Sequence, residues 1–152
     1  MRVEVDQSGR NDQTNKKTVL ALANGIGFSI AISAREKRKV AAALKLRKSD
    51  WSTALTNIFV FSTLLYLLLK ERIGKITEAI VDVEYPGKET IIKDRVMLIC
   101  RKHGIAVQKD QFVFKHVGKK SLAHKLAYRV YKGIIKPGKT ISAEEVLAEF
   151  GK

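Results

Sequence analysis

An α/β domain on a mixed sheet is the fold class the sequence predicts, and two observations predict it. The first 34 residues hold three short stretches of β pattern separated by turn signals, and beyond them strand patterns alternate with helical ones. A three-strand antiparallel meander followed by alternating helices and strands implies a five-stranded mixed sheet with helices on both faces. At 152 residues the chain has the size of one ordinary domain. Residues 1–135 are assigned to that domain, and 136–152 to a loop and short helix packed on it.

Val3-Glu4-Val5-Asp6 alternates and predicts a first strand, closed by the turn residues Gln7 to Asp12. Thr18 to Ala23 is an apolar run of strand length, Asn24-Gly25 is a hairpin turn, and Phe28 to Ser33 resumes the alternation. From Arg35 to Lys48 the chain either extends the third strand or forms a basic helix, and Ala41-Ala42-Ala43-Leu44 favours helix. Ser49-Asp50 is the expected cap of a long helix from Trp51 to about Arg72. No charge falls between Asp50 and Lys70, long enough for a membrane span. Six interspersed Ser, Thr and Asn side chains, and the amphipathic elements on either side, point instead to a helix buried within the domain and to no membrane partner.

Ile76 to Glu84 predicts a strand ended by Tyr85-Pro86-Gly87, and Lys88 to His103 an amphipathic helix stopped at Gly104. Ile105–Val107 and Gln111–Val117 supply one or two more strands. A further helix opens at Gly118–Ser121 and runs to about Lys132, with Leu122, Leu126 and Val130 as its core stripe. A last short helix runs from Ser142 to Phe150.

Composition bounds the function. There is one Cys, which excludes a disulfide framework and a Cys-rich zinc module. The first residues lack the basic-then-apolar order of a secretory leader, so a cytoplasmic location is expected. The formal net charge is +14, and the excess sits in two segments, Arg35–Lys48 and Arg101–Lys139. Such a field favours a polyanion, in first place nucleic acid, with DNA preferred to RNA. Lys115, Lys119, Lys120, Lys125 and Arg129 on one side, and Lys37, Arg38 and Lys39 on another, are the expected phosphate contacts. They would position a backbone rather than read bases.

Three places could carry chemistry. Asp6 ends the first strand directly before a Gln-Ser-Gly turn, where its carboxylate is either accessible or spent on an Asx hydrogen bond. Asp82 and Glu84 stand at i and i+2 in an otherwise apolar strand, so they share a face. Either they converge on a hard divalent cation, Mg²⁺ or Mn²⁺, or they face solvent from an edge strand. His124 lies off its helix's core stripe, as a metal ligand, a phosphate contact or a structural side chain. Glu71 offers a further carboxylate or a surface pair with Lys75, and Asp110 reads as solvated.

The element order, Asp6-Gln7-Ser8-Gly9-Arg10 and Glu84-Tyr85-Pro86-Gly87-Lys88 together resemble the ribonuclease H-like superfamily, on the branch of the Holliday-junction resolvases. The resemblance covers most of residues 1–133. It implies a divalent-metal-dependent endonuclease acting on structured nucleic acid, with branched DNA as one such substrate. Asp6 and Glu84 would be metal ligands, with Asp82 beside them. In that superfamily the helix after the last strand presents a final ligand, usually Asp and sometimes His. No acidic residue lies between Gly118 and Gly133, so His124 takes that place by resemblance. Two cations about 4 Å apart would activate water and stabilise the leaving oxygen. Paired cuts imply a symmetric homodimer, for which the exposed part of the Trp51–Leu69 helix is the expected interface. The alternative is a non-catalytic nucleic-acid-binding module of the same fold.

Overall fold

The computed structural model describes residues 1–151. Residue 152, the last of the expected C-terminal segment, lies outside them. Six strands form one mixed sheet: β1 (Arg2–Ser8), β2 (Thr18–Ala23), β3 (Gly27–Ile32), β4 (Glu78–Asp82), β5 (Phe112–Lys115) and β6 (Lys139–Thr140). Their spatial order is β5-β4-β1-β2-β3-β6. β2 runs antiparallel to β1 and β3, and the pairs β1/β4, β4/β5 and β3/β6 are parallel.

Five helices complete the fold: α1 (Ala34–Arg47), α2 (Thr53–Leu69), α3 (Glu89–Lys102), α4 (Leu122–Tyr131) and α5 (Ala143–Leu147). The alternation of each strand decides which helix it meets. Val3 and Val5 of β1, Leu20 and Leu22 of β2, and Ile30 and Ile32 of β3 point into one core with α2, α3 and α5. The intervening Val19 and Ala21 meet Ala127 and Val130 of α4 on the opposite face. Helices therefore cover both faces.

The apolar helix is a core element. From Val60 to Leu69 every residue of α2 is buried. Its hydroxyls are satisfied within the helix, Ser62 donating to the Ile58 carbonyl and Thr63 to that of Phe59. Among the described residues no helix is long and apolar enough to cross a membrane. What α2 leaves exposed is Thr53 and Ala54 at its start, beside the cap Ser52, with Leu55, Thr56, Asn57 and Phe59 half-buried.

Several boundaries differ from the sequence reading. The cap of α2 is Ser52, which accepts from the Leu55 N–H, while Ser49 and Asp50 lie outside the helix. Ile105–Val107 is not a strand, and a 3-10 turn at Lys109–Gln111 leads into β5 instead. The expected five strands become six because Lys139 and Thr140 pair with Ile30 and Ala31, a bridge too short to leave any periodicity. The core stripe of α4 is Ala123, Ala127 and Val130, and Leu122 is 61% exposed. Small side chains let α4 lie close to β1 and β2, and a Leu stripe would hold it further off. The C-terminal segment shares the main core through Ile141, Ala143, Val146 and Phe150.

Candidate metal and nucleic-acid site

β1 and β4 are parallel neighbours, with Val5 opposite Val81. One step further, Asp6 and Asp82 come side by side at the same end of the sheet, on the face that α4 covers. Strand pairing stops at Asp82, and Glu84 lies in the bend after it. The three carboxylates nevertheless converge: Asp6, Asp82 and Glu84 each place an oxygen within 4.8 Å of the other two. The choice left open by the sequence is thereby decided against solvent-facing carboxylates, since Asp6 is buried and the other two are half-buried.

Each carboxylate is oriented by its surroundings. Asp6 Oδ1 accepts from the Gln7 N–H at 2.8 Å within β1, which continues to Ser8, so Asp6 does not serve the turn through the expected Asx hydrogen bond. Its Oδ2 lies 2.7 Å from Nδ1 of His124, which Ser121 holds by capping α4. Asp82 Oδ1 accepts from the Val117 N–H at 2.8 Å. Close packing of like charges has a cost. Burial, and then the adjoining Asp82 and Asp6, push Glu84 up to about 8. Burial also raises Asp6, against the opposing effect of its Gln7 and His124 hydrogen bonds.

Oxygen donors from three chain positions suit a hard divalent cation. The Gln7 side-chain amide lies against the same cluster, and its contact with Glu84 opposes the upward push on that carboxyl. His124 reaches the cluster through Asp6 and not as a fourth converging ligand. With Nδ1 committed to Asp6, its Nε2 is the atom left to act.

The carboxylates line an open cleft of about 320 Å³ whose other walls include His116, Gly118, Lys119 and His124. His116 and Gln7 were missed by the sequence reading. His116 sits in a strand-like run, and Gln7 reads as a turn residue, so neither carried a signal. Lys115, Lys119, Lys120, Lys125 and Arg129 are all exposed, on the end of β5, the following loop and α4. Arg38 and Lys39 are exposed on α1, where Arg38 donates to the Thr14 carbonyl and Lys39 pairs with Glu36 at 2.9 Å.

Lys37 is a correction. It is 3% exposed, and its ammonium donates to the Gln13 carbonyl, the Thr18 hydroxyl and the Arg10 carbonyl. It fastens the loop that follows β1 and cannot meet a phosphate. Glu71 and Asp110 are exposed and outside the acidic cluster.

The loop that Lys37 fastens is tight. Gly9 has φ +75°, and a Cβ there would stand 2.2 Å from the Lys17 carbonyl oxygen and 2.6 Å from the Tyr131 ring. Arg10, next in the chain, lies over the Tyr85 ring at 5.6 Å and pairs with Asp12. The loop after β1 and the bend holding Glu84 are thus packed against each other. Comparison with known proteins returns no match: no family model, no curated protein and no solved structure matches this chain.

Proposed function

We propose that this protein is a metal-dependent nuclease of ribonuclease H-like type that cleaves phosphodiester bonds in structured nucleic acid. The observation that carries the reading is the convergence of Asp6, Asp82 and Glu84 from β1 and the end of β4 within 4.8 Å. The strand meander followed by alternating helices and strands, with the acidic residues at neighbouring strand ends, supports the same reading.

In it, Asp6, Asp82 and Glu84 hold Mg²⁺ or Mn²⁺. When bound, the cation polarises a phosphoryl oxygen and lowers the pKa of its water. His124 fixes the rotamer of Asp6 from the wall of the cleft. Lys119 and His116 face the cleft beside the carboxylates and would hold a phosphate against them, with Lys115, Lys120, Lys125 and Arg129 carrying the flanking backbone. Arg38 and Lys39 extend the basic surface on α1.

The test is cleavage of labelled four-way DNA, duplex DNA and RNA–DNA hybrid with Mg²⁺ or Mn²⁺, comparing the wild type with Asp6→Asn and Glu84→Gln. Cutting that both substitutions abolish while binding persists establishes the nuclease and names its substrate. Binding without cutting on every substrate replaces it with the non-catalytic module.

A further inference from the structure

A second concentration of charge lies on the other face of the sheet, where the end of α1, α3 and the C-terminal segment meet. A cavity of about 130 Å³ there is lined by Lys48, Trp51, Arg95, Lys102 and Glu149. Three cations thus face a single carboxylate. Both oxygens of that carboxylate are engaged by His103 Nε2, at 2.9 and 3.0 Å. Arg95 is held in place by apolar contact: its guanidinium carbon stands 4.9 Å from the ring centres of both Phe59 and Phe150. It donates through one terminal nitrogen to the Glu149 carbonyl at 3.4 Å, but its Nε is buried without any partner. Lys102 donates to the same carbonyl at 3.3 Å and stands 3.9 Å from the carboxylate. Lys48 lies over the Trp51 ring at 5.6 Å.

We infer that this cavity is a binding site for a phosphate group. A planar guanidinium fixed against two rings in the wall of the cavity is preorganised for an oxyanion. Lys48 and Lys102 bring two ammonium groups to the same space, and Trp51 closes one side of it. The cavity is large enough for one phosphate group, carried by a strand end or by a small phosphate monoester. The inference does not rest on the metal reading, since no residue is shared with the acidic cluster.

The experiment is calorimetric titration of inorganic phosphate into the full chain with EDTA present. One saturable site is expected in the wild type. Lys48→Gln and Arg95→Gln should each weaken it at least about tenfold, the loss of one charge-assisted hydrogen bond. Lys109→Gln, at an exposed lysine that lines neither cavity, should leave it unchanged. Thermal melting checks that Arg95→Gln folds, and Lys48→Gln stands as the test if it does not. A second titration compares 5′-phosphorylated with 5′-hydroxyl oligonucleotide. A preference for the phosphorylated strand that Lys48→Gln removes assigns the site to nucleic-acid ends, and phosphate binding without that preference assigns it to a small monoester. No saturable binding by the wild type, or binding that Lys48→Gln leaves intact, overturns the inference.

Discussion

Nδ1 of His124 lies 2.7 Å from Oδ2 of Asp6, across 118 positions of sequence. This contact joins α4 to the end of β1 and makes the histidine a positioning residue for the carboxylate. His124→Ala should therefore lower metal affinity, and with it cleavage, by about 10- to 100-fold, the usual cost of losing the hydrogen-bond partner of a ligand. Saturating Mg²⁺ should recover most of the rate, which separates positioning from direct chemistry at Nε2. A rate that stays low at saturating metal would place Nε2 in the reaction itself.

The acidic cluster makes stability depend on pH in an unusual direction. Glu84 is raised from 4.5 to about 8, so between those values the folded state binds more protons than the unfolded. Its contribution is complete below about 4.5 and is lost as pH rises through 8. Without metal, melting temperature should fall from pH 5 to pH 8 relative to Glu84→Gln. Added Mg²⁺ should raise it more at pH 8 than at pH 5, because the ion binds the deprotonated form. Equal stabilisation at both pH values would remove Glu84 from the ligand set.

How much of this was legible in the sequence depended on the range of the signal. The meander, the α1 helix, the buried α2 and the pair Asp6/Glu84 each announce themselves within a few residues, through alternation, capping or a turn. Convergence of Asp6 with Asp82 needed the parallel register of β1 on β4, which sequence pattern does not encode. Lys37 was misread because a basic helix looks solvated along its length. Only the Thr18 hydroxyl and the Arg10 and Gln13 carbonyls, brought in by the fold, reveal its burial. In α4 the Leu122–Leu126–Val130 stripe and the Ala123–Ala127–Val130 stripe differ by less than one helical turn, and hydrophobicity favours the wrong one. Close approach to β1 and β2 selects the small residues.

Lys37 gives a prediction that separates structure from binding. Replacement by Met keeps the buried stem, leaves the buried Thr18 hydroxyl without its partner, and leaves the Gln13 and Arg10 carbonyls only their backbone donors. The expected cost is about 2 kcal/mol by denaturant unfolding, the penalty for unsatisfied buried polar groups. Burial pulls the lysine down to about 8 from 10.5, so the penalty of its charge is present below 8 and lifts as pH rises through that window. The stability advantage of the wild type over Lys37→Met should therefore widen above pH 8. Amide exchange in residues 9–17 should quicken in the variant. Reduced nucleic-acid affinity with unchanged stability would return Lys37 to the binding surface.

The basic surface beside the cleft yields the last prediction. Lys115, Lys119, Lys120, Lys125 and Arg129 are exposed, and none of them lies within 4.0 Å of a carboxylate among the described residues. Cations free of protein partners are the ones that release counterions when they meet phosphates. Each contact adds about 0.9 to the slope of log affinity against log salt on duplex DNA. The triple variant Lys119→Gln/Lys120→Gln/Lys125→Gln should lose affinity for all duplex sequences alike and flatten that slope by about 2 to 3. Lys39→Gln, whose ammonium is already paired with Glu36, should flatten it less. A slope that the triple variant leaves unchanged would move the nucleic acid off α4, and with it the cleft that the acidic cluster opens onto.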